Sequence, residues 1–378
     1  MNKTTVEIDL GKNSYDIKIG NNLLEEKAFT EFLKHKEVML IYDQNLDIKE
    51  IKYIDQILDK AGVTVKVDLG IKATEKNKSY KSLNQIQDLL IENRFSRDCL
   101  LIGFGGGIIC DLTGFAAATY QRGVDFMLIP TSLLAQIDAS VGGKTGINHP
   151  QGKNMIGSFH QPKLVLIDTN YLSTLPVREV RCGLVEMIKH GLIIDKDYFG
   201  WLEENTDSIL KLERSTITEA IKRSVEIKSS IVSKDEKESG VRALLNFGHT
   251  YGHALELIGN YEDYKHGEAV ALGIKAASRL SEMMGHLTEE DLKRINSLFV
   301  KAGINTKTVR KINSEELYSV MQSDKKKKGK NLNFIILEEI GKAVLFLASE
   351  DSSFITATDL LVDGGYIFLK RQPSEETV

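Results

Sequence analysis

Five short apolar runs interleaved with helical stretches constrain this chain most. Residues 38–42, 63–69, 99–104, 126–130 and 164–168 are rich in Val, Ile, Leu, Phe and Met. Helical patterns stand between them, at 82–93 and 108–120. Strands alternating with helices predict βαβ units and a mostly parallel sheet. From about residue 177 the texture changes. Helical patterns cover 179–193, 198–212 and 216–233 and continue through a histidine-rich region, and a β-rich run returns only at 334–337. The expected plan is an α/β domain over 1–175, a mainly α-helical domain over 176–340 and a tail over 341–378.

A chain of 378 residues is long enough for two packed domains. Its net charge of −4 gives no bulk reason to bind nucleic acid or membranes. An anionic substrate must then be met by locally gathered Lys and Arg. Three widely spaced cysteines, Cys99, Cys110 and Cys182, predict buried free thiols in a reducing compartment. The first ten residues lack an apolar core of signal-peptide length, and no run approaches a membrane span, so a cytoplasmic protein is expected.

Three segments carry chemistry. Gly103-Phe104-Gly105-Gly106-Gly107 lies between a predicted strand and a helix. Glycines there let backbone approach a phosphate, and the helix start supplies N–H groups and positive dipole. The dinucleotide fingerprint is not met, because Ile108 stands at its third glycine. Asp43, ending an earlier strand, suits a ribose hydroxyl pair. Next, Asp138 to Gly146 contains Gly-Gly-Lys-Thr, but Asp138 stands where a phosphate-binding P-loop needs glycine. With Lys153 and Asn154 it still makes a binding set for an anionic, hydroxylated ligand. Last, His249, His253 and His266 fall within eighteen residues. His249 and His253 share a helix face, and two imidazoles with a carboxylate suit a Zn²⁺ site with an open position. The spacing is not the His-Glu-x-x-His of metalloproteases.

These segments, read together with Arg122-Gly123, Pro130-Thr131-Ser132, Thr174-Leu175-Pro176, Glu186-Met187-Ile188-Lys189, Arg242 to Thr250, His266-Gly267-Glu268 and Asp324-Lys325-Lys326, resemble the 3-dehydroquinate synthase family over roughly residues 5–340. The resemblance implies an NAD⁺-dependent, Zn²⁺- or Co²⁺-dependent lyase of the shikimate pathway. Its substrate would be the phosphorylated keto acid 3-deoxy-D-arabino-heptulosonate 7-phosphate, and its products 3-dehydroquinate and phosphate. The implied course is transient oxidation, β-elimination of phosphate, reduction, ring opening and aldol closure.

Carried over residue by residue, the resemblance implies Glu186, His249 and His266 as metal ligands. It places the nucleotide on Asp43, Asn45, Glu75, Lys78, Gly105, Gly106, Gly107, Asp111, Thr131, Ser132, Thr174 and Leu175, with Asp138, Lys144 and Lys153 also close to it. Catalytic roles fall to Asp138, Lys144, Lys189, Asn246 and His253. Substrate contacts fall to Lys153, Asn154, Lys228, Arg242 and one of Lys325 or Lys326. Arg122 would reach the phosphate across a homodimer interface. Three positions depart from the family pattern: Thr74 for a usual Gly, Ser132 for Thr and Cys110 for Gly.

The tail is different. Residues 341–366 resemble the C-terminal end of a short-chain dehydrogenase/reductase, without the rest of that family's motifs. It is expected to replace the strand and helix that close the second domain, with a strand at 344–347 and a short helix at 352–360. Other functions stay open at this point. They are a sister sugar-phosphate cyclase, an NAD-dependent polyol dehydrogenase of the same plan, and an inactive scaffold. Arg242 favours the first reading over a sister cyclase, because a substrate carboxylate needs a cation.

Overall fold

The computed structural model describes residues 3–34, 36–325, 332–348, 358–363 and 366–371. They form two units: Met1–Val180 with Leu212–Lys237, and Arg181–Lys211 with Glu238–Val378.

The first unit contains β1 (Thr4–Ile8), β2 (Tyr15–Gly20), α1 (Lys27–Leu33), β3 (Glu37–Asp43), α2 (Ile48–Ala61), β4 (Val65–Ile71), α3 (Tyr80–Glu92), β5 (Leu100–Gly105), α4 (Gly107–Thr119), β6 (Asp125–Pro130), β7 (Lys144–His149), β8 (Gly152–Phe159) and β9 (Leu164–Asp168). Seven strands make one sheet in the order β1-β2-β9-β6-β5-β3-β4. β1 pairs antiparallel with β2, and every other neighbouring pair is parallel. The five expected strands are β3, β4, β5, β6 and β9. Every residue of β5 and β9 is buried, as strands covered on both faces require. On one face Leu40, Ile102, Phe104 and Ile129 pack with Phe29, Ile54 and Leu58 of α1 and α2.

The five strands that follow one another in chain order as β3, β4, β5, β6 and β9 lie in space as β4-β3-β5-β6-β9. Strand order therefore reverses between β3 and β5. Ligands of open α/β sheets bind outside the carboxyl ends of strands at such a switch point. Asp43 ends β3 and Gly105 ends β5.

The edge hairpin β1–β2 and the separate antiparallel hairpin β7–β8 lie outside the five apolar runs. The second matters more, because it assembles part of the site described below.

Helices follow: α5 (Val177–Ile194), α6 (Lys196–Leu210), α7 (Arg214–Lys234), α8 (His249–Ile258), α9 (His266–Met283), α10 (Glu289–Lys301) and α11 (Ser314–Lys325). α7, expected in the helical domain, lies in the first unit, where it packs on β1 and β2. An amphipathic helix must bury its apolar face, but its sequence does not say against which partner. No helix among the described residues is long and apolar enough to cross a membrane.

Among the described residues the second unit also has two antiparallel hairpins, β10 (Leu332–Glu339) with β11 (Lys342–Ala348), and β12 (Thr358–Asp363) with β13 (Tyr366–Arg371). Ile336 and Val344 pack with Leu280 and Met283 of α9. Leu337 N donates to Ser281 Oγ at 2.9 Å, and Gly341 N to Leu192 O at 2.9 Å. The strand expected at 344–347 is thus part of β11. The helix expected at 352–360 is not found where it can be seen. Residues 352–357 lie outside the described residues, and 358–360 belong to β12. β12 and β13 are separated in sequence by Gly364-Gly365, a strong local signal for a hairpin.

Candidate active site

In the first unit, glycines make the switch point. A Cβ at Gly105 would lie 2.7 Å from Ile109 and 3.1 Å from Asp43 Cβ, so only a bare backbone fits beside Asp43. Gly106 caps α4 and Gly107 begins it, facing Ser132 and Ala139 respectively. Thr131 N donates to Gly105 O at 3.0 Å, fixing the neighbouring strand end. Asp43 Oδ1 accepts from Asn45 N at 3.0 Å, Asn45 Nδ2 at 2.9 Å and Ala73 N at 3.2 Å. A glycine turn, a helix N-terminus and an acidic strand end together fit a dinucleotide.

The β7–β8 hairpin brings a second group together. Asn148 N donates to Lys78 O at 2.8 Å, and Asn148 Nδ2 to Glu75 Oε2 at 2.8 Å. Lys153 Nζ lies 3.5 Å from Glu75 Oε1. Asn154 adopts a left-handed φ of 55°, and its N–H donates to Asn148 Oδ1 at 2.9 Å. The buried Lys78 ammonium bonds both Asp111 and Asn154. Burial pushes the Asp111 carboxyl up, against the pull of Lys78. Asp138 sits in a π-helical turn, Ala135–Ala139, and both its carboxylate and its carbonyl accept from the buried Lys228 of α7. Lys144 opens β7 and is exposed. Arg122 is also exposed, in a turn where Gln121 (φ 45°) and Arg122 (φ 69°) are both left-handed. Thr174 and Leu175 close a 3-10 turn and bond back to Tyr171 and Leu172 within it.

In the second unit, close helix packing gathers the histidines. A Cβ at Gly273 would lie 1.9 Å from Gly248 O, so α9 presses against the start of α8. A Cβ at Gly267 would lie 2.5 Å from Cys182 Cα, so α9 also presses on α5. Glu186 stands one turn after Cys182, His266 beside Gly267 and His249 beside Gly248. The three meet as a result. Glu186 Oε1 is 3.8 Å from His249 Nε2 and 3.6 Å from His266 Nε2, and the donor atoms of the set lie within 4.8 Å of one another. Two ligands at about 2.1 Å from one tetrahedral ion stand roughly 3.4 Å apart, so a small inward shift accommodates Zn²⁺. His249 Nδ1 lies 3.1 Å from Phe247 O. A carbonyl only accepts, so Nδ1 carries the proton and Nε2 offers its lone pair toward Glu186.

Charge is arranged around this set. Lys189, one turn along α5, pairs with Glu186, and both are buried. Burial alone would raise Glu186, but Lys189, His266 and His249 hold it well below the usual carboxylate range. Burial and the nearby Lys189 push His249 down to about 3, which keeps it neutral. His266 moves the other way. Burial lowers it, but bonds to Glu186 and Glu256 outweigh this and push it up to about 10. His253 is exposed, its ring 5.3 Å from that of His249.

Arg242 is almost fully buried in the 3-10 turn Val241–Asn246. Asn246 Nδ2 donates to Glu238 Oε1 at 2.7 Å, and Glu238 takes a left-handed φ of 56°. Sequence reasoning missed Glu238, Asn148 and Glu256, each a polar residue with no motif to mark it. Lys325 ends α11, and Lys326 lies outside the described residues.

Two family models match consecutive stretches of the chain. The 3-dehydroquinate synthase N-terminal model matches residues 68–182 and the C-terminal model residues 183–327. A model described as enoyl-(acyl carrier protein) reductase matches residues 289–367, in line with the tail's resemblance. A 3-dehydroquinate synthase of Hydrogenovibrio crunogenus is 44% identical over 340 residues, covering 90% of this chain and 94% of that protein. One from Nitrosomonas europaea is 54% identical over 269 residues, 71% of this chain and 73% of that protein. Among solved structures, a 2-epi-5-epi-valiolone synthase from Streptomyces hygroscopicus, with NAD⁺ and Zn²⁺ bound, matches with a TM-score of 0.83 at 26% identity, covering 90% of this chain and 94% of that one. A 2-deoxy-scyllo-inosose synthase, complexed with carbaglucose-6-phosphate, NAD⁺ and Co²⁺, shares the fold at a TM-score of 0.83 and 24% identity, covering 92% and 97%. The chain belongs to the 3-dehydroquinate synthase family of lyases.

Proposed function

We propose that this protein converts 3-deoxy-D-arabino-heptulosonate 7-phosphate to 3-dehydroquinate and phosphate, with NAD⁺ and Zn²⁺ or Co²⁺ as cofactors. The observation that carries this is 44% identity to a 3-dehydroquinate synthase over nine-tenths of both chains. The sister cyclases have the same fold but share only about a quarter of the sequence.

Glu186, His249 and His266 hold the ion. Asp43 takes the ribose hydroxyls, and the Gly105–Gly107 turn with the start of α4 takes the pyrophosphate. When bound, NAD⁺ supplies a reversible hydride acceptor and the metal a positive charge beside a substrate hydroxyl. The chain's own residues then mainly orient. Arg242 binds the substrate carboxylate, aided by Asn246, which Glu238 holds. Lys144, Lys153 and Asn154 bind hydroxyl and phosphate oxygens, with Asp138 held in place by Lys228. Lys189 keeps Glu186 ionised. Lys325 or Lys326 adds a further cation. The substrate's phosphate accepts the proton lost beside the transient ketone and leaves with it, so few dedicated bases are needed. His253 moves the remaining protons. Thr131, Ser132, Thr174 and Leu175 line the nucleotide, with Asn45, Glu75, Lys78 and Asp111 around it. The protein works in the cytoplasm as a homodimer in which Arg122 serves the partner's phosphate group.

The test is turnover of the heptulosonate phosphate against a heptulose phosphate lacking the carboxylate, followed by phosphate release and by NADH absorbance. The acid should be preferred, with no net NADH. Arg242→Ala should lose about 1.5–3 kcal/mol of transition-state binding, roughly 10- to 100-fold in kcat/KM. Preference for the carboxylate-free sugar would make the protein a sister cyclase, and stoichiometric NADH a polyol dehydrogenase.

A further inference from the structure

His249, His253 and Glu256 occupy positions i, i+4 and i+7 of α8, so they share one helix face. The roles proposed above use the two histidines and leave Glu256 without one. Its side chain is only 3% exposed, which is costly for a carboxylate unless it is paired. Glu256 Oε2 lies 3.4 Å from His266 Nδ1, while His266 Nε2 faces Glu186 from the other side of the ring at 3.6 Å. The imidazole of His266 is thus strung between two carboxylates.

We infer that Glu256 is a positioning residue, which sets the tautomer and strengthens the donor atom of His266 for the metal. This rests on the assignment of Glu186, His249 and His266 as the ion's ligands. A ring that gives its Nε2 lone pair to a metal must carry its proton on Nδ1. That N–H then donates to Glu256, fixing the ring plane and increasing electron density at Nε2. The two histidines are treated differently. His249 leans on the neutral carbonyl of Phe247, at 3.1 Å, and His266 on a buried carboxylate. His266 is the more exposed ligand, with 30% of its side chain accessible against 11% for His249. It is the ring with less packing to hold it, and a charged partner compensates.

The experiment compares wild type with Glu256→Gln and Glu256→Leu. Zn²⁺ affinity and stoichiometry are read by chelator competition, and the visible spectrum of the Co²⁺-loaded proteins reports ligand geometry. Gln keeps the size and an acceptor but not the charge. The expected result is one ion per chain throughout. Zn²⁺ should bind about 10-fold more weakly in Glu256→Gln and about 100-fold more weakly in Glu256→Leu, with altered Co²⁺ bands in the latter. If Glu256→Leu does not fold, the Gln variant decides alone. Unchanged Zn²⁺ affinity in the Gln variant, with the wild-type Co²⁺ spectrum, would overturn the inference. A drop from two bound ions to one would make Glu256 a ligand and overturn it too, because His253, Glu256 and His266 also lie close enough to hold an ion. Failure of the wild type to bind Zn²⁺ would instead defeat the ligand assignment itself.

Discussion

Lys228 Nζ bonds Asp138 twice, at the carboxylate Oδ1 and at the main-chain carbonyl. The ammonium is buried, and it ties α7 to the π-helical turn that carries Asp138. A side chain proposed to handle substrate is thus also a strut of the first unit.

Asp138→Leu should leave the Lys228 charge buried with its main partner gone. Breaking a buried pair costs roughly 3–5 kcal/mol. The low end, about 3 kcal/mol, is expected because a quarter of the Asp138 side chain is accessible, 27%. Urea unfolding of the variant, and of Asp138→Leu/Lys228→Met, measures this. The double variant should recover a large part of the loss. Equal instability of the two would show that the ion pair is not the cause.

Glycine positions separate helix packing from helix propensity. Gly273→Ala would place a Cβ 1.9 Å from Gly248 O, forcing α8 and α9 apart. The expected cost is about 3 kcal/mol or more, with loss of bound metal as His249 and His266 separate. Gly200 lies within α6 with nothing within 4 Å of its would-be Cβ. Gly200→Ala should stabilise by about 0.5–1 kcal/mol. Denaturant midpoints and metal content report both, and a Gly273→Ala protein with full metal and wild-type stability would refute the packing account.

The cysteines should behave as structural thiols. Burial, with Glu37 nearby, pushes Cys99 up to about 12, and burial raises Cys110 further. A raised thiol stays protonated below its own range, so at about pH 8 the reactive thiolate is scarce. Iodoacetamide should label neither residue in the folded protein and both in urea, as read by mass spectrometry. Rapid labelling of Cys110 in the folded state would show that the start of α4 opens.

The parallel strands were legible because β3, β5, β6 and β9 are continuous apolar runs, which is how strands buried on both faces read. Hairpin β7–β8 was not, since β8 has no buried residue and resembles a polar loop. Yet that hairpin joins Glu75, Lys78, Lys153 and Asn154 into one group. The histidine set was legible because imidazoles at helical spacing are rare enough to stand out. The partners that orient it were not. Phe247 acts through its carbonyl, which no side-chain pattern encodes, and Glu256 reads as an ordinary helix carboxylate until α9 closes over it. The affiliation of α7 depended on which surface took its apolar face, and only tertiary packing decides that.

The proposed holding of the metal by Glu186, His249 and His266 underlies the whole lyase reaction. It is tested most directly by measuring Zn²⁺ content and phosphate release from the heptulosonate phosphate in the same preparations of wild type and His249→Ala. One Zn²⁺ per wild-type chain is expected, with phosphate release that a chelator abolishes, and neither metal nor more than a trace of turnover in the variant. Full Zn²⁺ occupancy in His249→Ala, or phosphate release that survives metal removal in the wild type, would contradict it.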